Sequence, residues 1–151
     1  MKKPSVNFPT IKPPVIIYYL ALQDIKEICL ETVKLLYRFN EPVPEFETRF
    51  PHKLESVLEI PKQHIYGREL YPTIEQKAAC YFYFIIKNHP LLNGNKRVAI
   101  ISSYVFLKLN GRTFVAPWDK IYDFAIKISC PTYNHEKELT EVVIFIKKYS
   151  K

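Results

Sequence analysis

Apolar residues recur at steps of three and four along most of the chain, which is the periodicity of amphipathic helices. This pattern predicts helices over 17–39, 51–60, 74–87, 96–109, 118–129 and 136–149. Two of them, 74–87 and 96–109, are apolar on nearly every side, and such helices pack in the middle of a bundle. No sustained strand-like alternation appears, so the sequence predicts an all-α fold with at most a small hairpin within 61–72.

The ends of the two apolar helices carry local signals. Thr73 is followed three residues later by Gln76, a capping-box pattern that predicts the start of the first helix. Asn110-Gly111 predicts the end of the second, because glycine readily takes the left-handed conformation that follows a helix.

The length and the proline distribution predict the domain organisation. The chain has 151 residues, enough for one domain with a sizeable core and too few for two. Four of the first fourteen residues are proline, which favours an extended arm over residues 1–16 and leaves 17–151 as a single domain. The longest apolar runs, 78–86 and 98–107, are shorter than the roughly 20 residues of a membrane span.

Composition excludes several classes of site. With only three glycines, the chain has neither a G-x-G-x-x-G dinucleotide fingerprint nor a phosphate loop of the G-x-x-x-x-G-K-S/T type. Three widely separated cysteines support neither a disulfide framework nor a zinc site, so a reducing, intracellular setting is the simplest interpretation. The net charge of +7 and the pI near 9.2 favour a polyanionic partner: nucleic acid, nucleotide phosphates or an acidic protein surface.

The polar segment 88–97, between the two apolar helices, carries the candidate chemistry. Lys96 and Arg97 open the second helix at the positive end of its dipole, which costs a few tenths to about 1 kcal/mol per charge unless an anion is nearby. Free backbone N–H groups, Gly94 and two cations together predict a phosphate site. The proline after His89 biases that histidine away from helical geometry. Its imidazole could then project over the anion and act as a general base.

The run from His89 to Arg97, His-Pro-Leu-Leu-Asn-Gly-Asn-Lys-Arg, resembles the Fic/Doc signature H-x-F-x-D/E-G-N-G/K-R. It is closest to the Doc branch, in which Lys replaces the second glycine. Further Doc-like segments are 54–56, 70–73, 75–79 and 109–117, so that the resemblance covers about residues 50–130. The resemblance implies a Fic-fold helical bundle with a small β-hairpin flap, near 61–72, that docks the target segment.

The resemblance also implies a role for each residue of the motif. His89 would be the general base that deprotonates a target hydroxyl. Gly94 and Asn95 would form an anion hole, and Lys96 and Arg97 would hold the phosphates of ATP, bound with Mg²⁺.

The residue at position 96 separates two activities within the family. Fic enzymes with glycine there transfer AMP, whereas the Doc branch, with lysine, binds ATP in reverse and phosphorylates a threonine of elongation factor Tu, which stops translation. Lys96 therefore points to a cytoplasmic, kinase-like toxin with a protein substrate, elongation factor Tu being one candidate, and with a separate antitoxin. The second arginine of the AMP-transferring motif is replaced by Ile100. Neither a membrane nor nucleic acid is expected as a partner.

Two departures from the signature leave alternatives open. Asn93 stands where the family has an acidic Mg²⁺ ligand, and a neutral amide is a weaker ligand for a hard dication. Leu91 replaces phenylalanine, an apolar exchange. The alternatives are an AMP-transferring Fic enzyme, a catalytically weak Fic-fold binding module, and a nucleic-acid-binding protein. Lys87 is either a further phosphate contact or a solvated helix end.

Overall fold

A computed structural model describes residues 15–36 and 51–151. Its elements, in chain order, are α1 Leu22–Leu36, α2 Pro51–Glu59, a 3-10 turn Ile60–Lys62, β1 His64–Ile65, β2 Arg68–Glu69, α3 Ile74–Asn88, α4 Asn95–Leu109, α5 Trp118–Ser129 and α6 His135–Tyr149. The two short strands pair antiparallel, with His64 opposite Glu69. The all-α prediction with one small hairpin is therefore confirmed.

Helix α3 is the centre of the bundle, since it packs against α2, α4, α5 and α6. Three consecutive aromatic residues, Tyr81, Phe82 and Tyr83, are all buried, which requires neighbours on every side of the helix. The Tyr81 ring lies 5.1 Å from that of Phe106 on α4, and the Phe82 ring lies 5.8 Å from that of Phe124 on α5. Their apolar character thus reflects core packing, as predicted for a central helix.

The predicted start of α3 and end of α4 are confirmed. The Gln76 backbone N–H donates to Thr73 Oγ1 at 3.1 Å, and the Thr73 N–H donates to Gln76 Oε1 at 2.9 Å. These two bonds complete the capping box. After α4, Gly111 has a φ of +76°, and the Arg112 N–H donates back to the Leu107 carbonyl at 2.9 Å. The left-handed glycine therefore lets the chain reverse while the last carbonyls stay hydrogen bonded.

The predicted start of the first helix, residue 17, is wrong, because α1 begins at Leu22. The Asn110 side chain bonds both backbone groups of Tyr18, accepting from its N–H and donating to its carbonyl, each at 2.9 Å. The Leu20 N–H donates to the Tyr81 hydroxyl at 3.1 Å. These tertiary contacts hold the segment extended, so they override its helical periodicity.

The predicted N-terminal arm lies mostly outside the described residues, as do positions 37–39 of the first predicted helix. Of the arm, Val15 and Ile16 are described, and both are exposed and without regular secondary structure. Among the helices that the structure describes, none combines the length and apolarity needed to cross a bilayer.

Candidate active site

The histidine of the motif lies directly at the end of α3. His89 follows the last helical residue, Asn88, and has a left-handed backbone, with φ 45° and ψ 55°. Its side chain is exposed. A residue with a Cβ pays roughly 1–2 kcal/mol in this conformation. Such a conformation persists where the surrounding structure determines it.

Asn95 holds the loop that follows His89. Its side chain is only 6% exposed, accepts the Leu91 N–H at 3.0 Å and donates to the Leu91 carbonyl at 2.9 Å. The same amide nitrogen lies 3.3 Å from Nδ1 of His89. The Asn95 side chain is thus occupied in fixing the loop, which motif spacing did not predict. Any part in the expected anion hole falls to its backbone N–H.

The start of α4 is open for an anion. Gly94 precedes the helix with φ 73° and ψ 15°, no side chain caps it, and its first turn holds no acidic residue. The first N–H groups of a helix have no partner within the helix and point out of its end. Lys96 and Arg97 add two positive charges at the same place. An anion bound there would meet both the helix dipole and two cations.

The residues predicted as catalytic, phosphate-binding and metal-binding lie around one pocket of about 200 Å³. Its lining consists of His89, Leu92, Asn93, Gly94, Asn95, Lys96, Arg97 and Tyr122. None of the carboxylates among the described residues lines it, so its charged side chains are cationic. Tyr122 comes from α5, and no local motif marked it in the sequence. The bundle alone brings it to the loop.

The pocket is a poor metal site by its own side chains. Asn93 is exposed and offers one neutral amide oxygen. Nowhere in the described part of the chain do three His, Cys, Asp or Glu side chains converge as metal ligands. Mg²⁺ prefers carboxylates and phosphates, so a Mg²⁺ ion here would be held chiefly by the phosphates of its nucleotide.

Lys87 is not a solvated helix end, so that interpretation was wrong, and it does not line the pocket around His89. Its ammonium donates to the Cys130 carbonyl at 2.8 Å and lies 3.0 Å from a carboxylate oxygen of Glu138. The Tyr83 hydroxyl donates to Glu138 at 3.1 Å and lies 2.7 Å from Nδ1 of His135. Burial, together with the Glu138 charge, raises the pKa of Tyr83, so this hydroxyl stays protonated.

The fold and the pocket define a class of protein. It is a helical bundle in which a loop that begins with a histidine leads into a helix whose first turn is uncapped and carries two cations. A family model described as Fic/DOC family matches residues 19–107, more than half of the chain. The chain therefore belongs to the Fic/DOC family, and the resemblance of its motif is confirmed.

A curated relative, "Toxin Doc" of Mycolicibacterium smegmatis (strain ATCC 700084 / mc(2)155), is 33% identical over 75 residues. The match covers 50% of this chain and 58% of the relative, so it spans little more than half of the relative's length.

Proposed function

We propose that this protein is a Doc-type toxin that transfers the γ-phosphate of ATP to a serine or threonine hydroxyl of a protein target. One observation carries the proposal: His89, the open start of α4 and the two cations Lys96 and Arg97 surround one pocket. The similarity to a relative named Toxin Doc supports the assignment as a toxin.

The proposed chemistry needs little more than a base and an electropositive cradle. His89 takes the proton of the target hydroxyl, whose oxygen attacks the γ-phosphorus. The bond between that phosphorus and the bridging oxygen breaks, and ADP leaves with its electron pair. Phosphoryl transfer depends mainly on positioning and charge neutralisation. The N–H groups of the first turn of α4, with Lys96 and Arg97, supply that neutralisation.

ATP fits the charge of the pocket, because the lining presents donors and cations and no carboxylate of the described residues. Mg²⁺ would accompany ATP as a counter-ion of its phosphates, with Asn93 as its one protein ligand. The proposal therefore assigns the binding of the phosphates to the helix start and to the cations.

Two features favour phosphate transfer over AMP transfer. Lys96 is the residue by which the chain resembles the Doc branch. Ile100, which replaces the second arginine of the AMP-transferring motif, is buried at 4% exposure. About one turn after Arg97, α4 therefore places the apolar side chain of Ile100 in the core, at the position where the AMP-transferring motif has its second arginine.

The proposed partners follow from the toxin assignment. The target is a protein of the translation machinery, with elongation factor Tu as the candidate, which places the activity in the cytoplasm. A separate antitoxin protein inhibits the toxin.

The test uses purified protein, Mg²⁺ and a bacterial extract that contains elongation factor Tu, with ATP labelled on either its α- or its γ-phosphate. His89→Ala is the control, and it is expected to fold normally and to transfer no label. Label on a protein band from γ-labelled ATP alone is the expected result.

Other outcomes separate the alternatives. Label from α-labelled ATP would replace the proposal with an AMP transferase. If the wild-type protein binds ATP in calorimetry but transfers neither label, the protein is a Fic-fold binding module. If His89→Ala transfers as well as wild type, His89 is not the base.

A further inference from the structure

We propose that Glu138 is a positioning residue: through Lys87 and Tyr83 it holds the last turn of α3 and thereby sets the place of His89. This inference rests on the proposed role of His89 as general base. It concerns a residue of α6 that does not line the phosphate pocket.

One carboxylate group binds two residues that lie one turn apart on α3. Glu138 Oε1 accepts from the Lys87 ammonium at 3.1 Å, and Oε2 lies 3.0 Å from the same nitrogen. Oε2 also accepts the Tyr83 hydroxyl at 3.1 Å. Both oxygens of Glu138 therefore point at α3.

The pair is well shielded from solvent. The Lys87 side chain is 13% exposed and that of Glu138 is 12% exposed. The Lys87 ammonium also donates a hydrogen bond to the carbonyl of Cys130, the residue that follows α5, at 2.8 Å. The last turn of α3 is thus tied to the residue that follows α5 and to the first turn of α6. Breaking a shielded pair is costly because one charge is left without its partner.

These contacts lie on one side of His89, and the contacts of Asn95 lie on the other. Lys87 is held two residues before His89, and Leu91 is held two residues after it through both of its backbone groups. His89 is the residue between these points with the left-handed backbone. Because a strained conformation needs support from its surroundings, loosening either side should let the imidazole move.

The chain offers a matched control on the same helix. Glu141, three residues after Glu138, pairs with Lys127 at 2.8 Å. That pair joins α6 to α5, its lysine side chain is 65% exposed, and among the described residues its hydrogen bond and ion pair do not involve α3. The same chemical change, Glu to Gln, can therefore be made beside α3 and away from it.

The experiment compares Glu138→Gln with Glu141→Gln in the full chain. For Glu138→Gln, we expect kcat of label transfer to fall about tenfold or more, since small misplacements of a catalytic group have effects of this size. KM for ATP should stay within about twofold, because the cations and the start of α4 are untouched. Glu141→Gln should match wild type in both constants.

A second readout does not depend on turnover. In histidine ¹H–¹³C spectra, the His89 signal is assigned by its loss in His89→Ala. We expect Glu138→Gln to shift this signal and Glu141→Gln to leave it in place. Lys87→Arg, which keeps the positive charge and hydrogen-bond donors, should retain more of the wild-type activity than Lys87→Gln. Tyr83→Phe, which removes one hydroxyl, serves if Glu138→Gln does not fold.

The two proposals can fail separately. If wild type transfers no label, the proposed function fails, while the His89 signal still tests the positioning. If Glu138→Gln or, where that variant does not fold, Tyr83→Phe equals Glu141→Gln in kcat and in the His89 signal, the positioning role is overturned. A rise in KM at constant kcat would overturn it as well, since Glu138 would then act on nucleotide binding.

Discussion

Helices α3 and α4 are both fifteen residues long and pack against each other, yet they begin in opposite ways. α3 starts with a complete capping box and has Glu75 in its first turn. α4 starts at an uncapped glycine and carries Lys96 at the position equivalent to Glu75, the second of the helix. At the start of α3, side chains of the protein itself bond the free N–H groups and place a negative charge at the helix dipole. At the start of α4, no side chain caps the helix, so its N–H groups and its dipole are available to an external anion.

This difference gives the proposed phosphate site a measurable effect on stability. A carboxylate near a helix start stabilises it, and a cation there destabilises it, by a few tenths to about 1 kcal/mol each. A bound phosphate would reverse the second effect. The start of α4 should therefore lower the stability of the nucleotide-free protein and raise its affinity for phosphate. Each effect can be measured by substitutions at α4, with the start of α3 as the comparison.

The largest expected effect comes from Asn95, whose side chain holds the loop between α3 and α4. Asn95→Ala leaves the buried N–H and carbonyl of Leu91 without their partner, which should lower the free energy of unfolding by about 2–4 kcal/mol. Urea denaturation measures this change. Asn93→Ala, an exposed amide in the same loop, should stay within about 0.5 kcal/mol of wild type. Equal losses in the two variants would contradict the role of Asn95.

The next effect concerns the phosphate. Lys96→Ala should weaken ATP binding by roughly ten- to a hundredfold, since a charge-assisted hydrogen bond contributes about 1.5–3 kcal/mol. Isothermal calorimetry measures the affinity. Lys108→Ala, a lysine in the last turn of the same helix, is the control and should bind as wild type does. An unchanged affinity in Lys96→Ala would remove Lys96 from the phosphate site.

At the other helix, removal of the cap should affect stability alone. Thr73→Ala should cost about 1 kcal/mol of unfolding free energy, a typical effect of losing an N-cap side chain. Nucleotide affinity, measured in parallel, should not change. If Thr73→Ala weakened ATP binding, the starts of the two helices would not be independent.

The smallest expected change in stability comes from a substitution that makes the start of α4 resemble that of α3. Lys96→Glu should stabilise the nucleotide-free protein by about 0.3–1 kcal/mol, because the dipole then meets a negative charge. It should also abolish measurable ATP binding. Thermal unfolding with and without ATP tests both parts. A variant that is less stable without nucleotide would show that α4 is not electrostatically strained.

Most of the helical framework could be predicted because its signals are local. The capping box at Thr73 and the stop at Gly111 each involve residues a few positions apart, and both predictions are confirmed. The start of α1 could not be predicted, because the groups that hold Tyr18 extended belong to Asn110, 92 residues away. Periodicity reports which face is apolar, and it does not report which tertiary hydrogen bonds compete with the helix.

The same division applies to the candidate site. The motif 89–97 was readable because its residues are contiguous and their spacing places them at the end of one helix and the start of the next. Tyr122 and Glu138 reach this region from α5 and α6, and neither carries a local motif. Asn95 was recognised as a site residue, but its inward-turned side chain depends on the path of the loop.

By itself, the sequence determined the helical class and the positions of the central helices, and it predicted an anion site in the run 89–97, because backbone propensity, capping and charge act over a few residues. Only the tertiary structure decided which side chains hold His89 in its left-handed conformation and which of the cations face the pocket. Lys87 and Lys96 look alike in the sequence, as lysines near an apolar helix end. Packing of α6 against α3 gives the first a largely shielded carboxylate partner, whereas the second lines the pocket at the open start of α4.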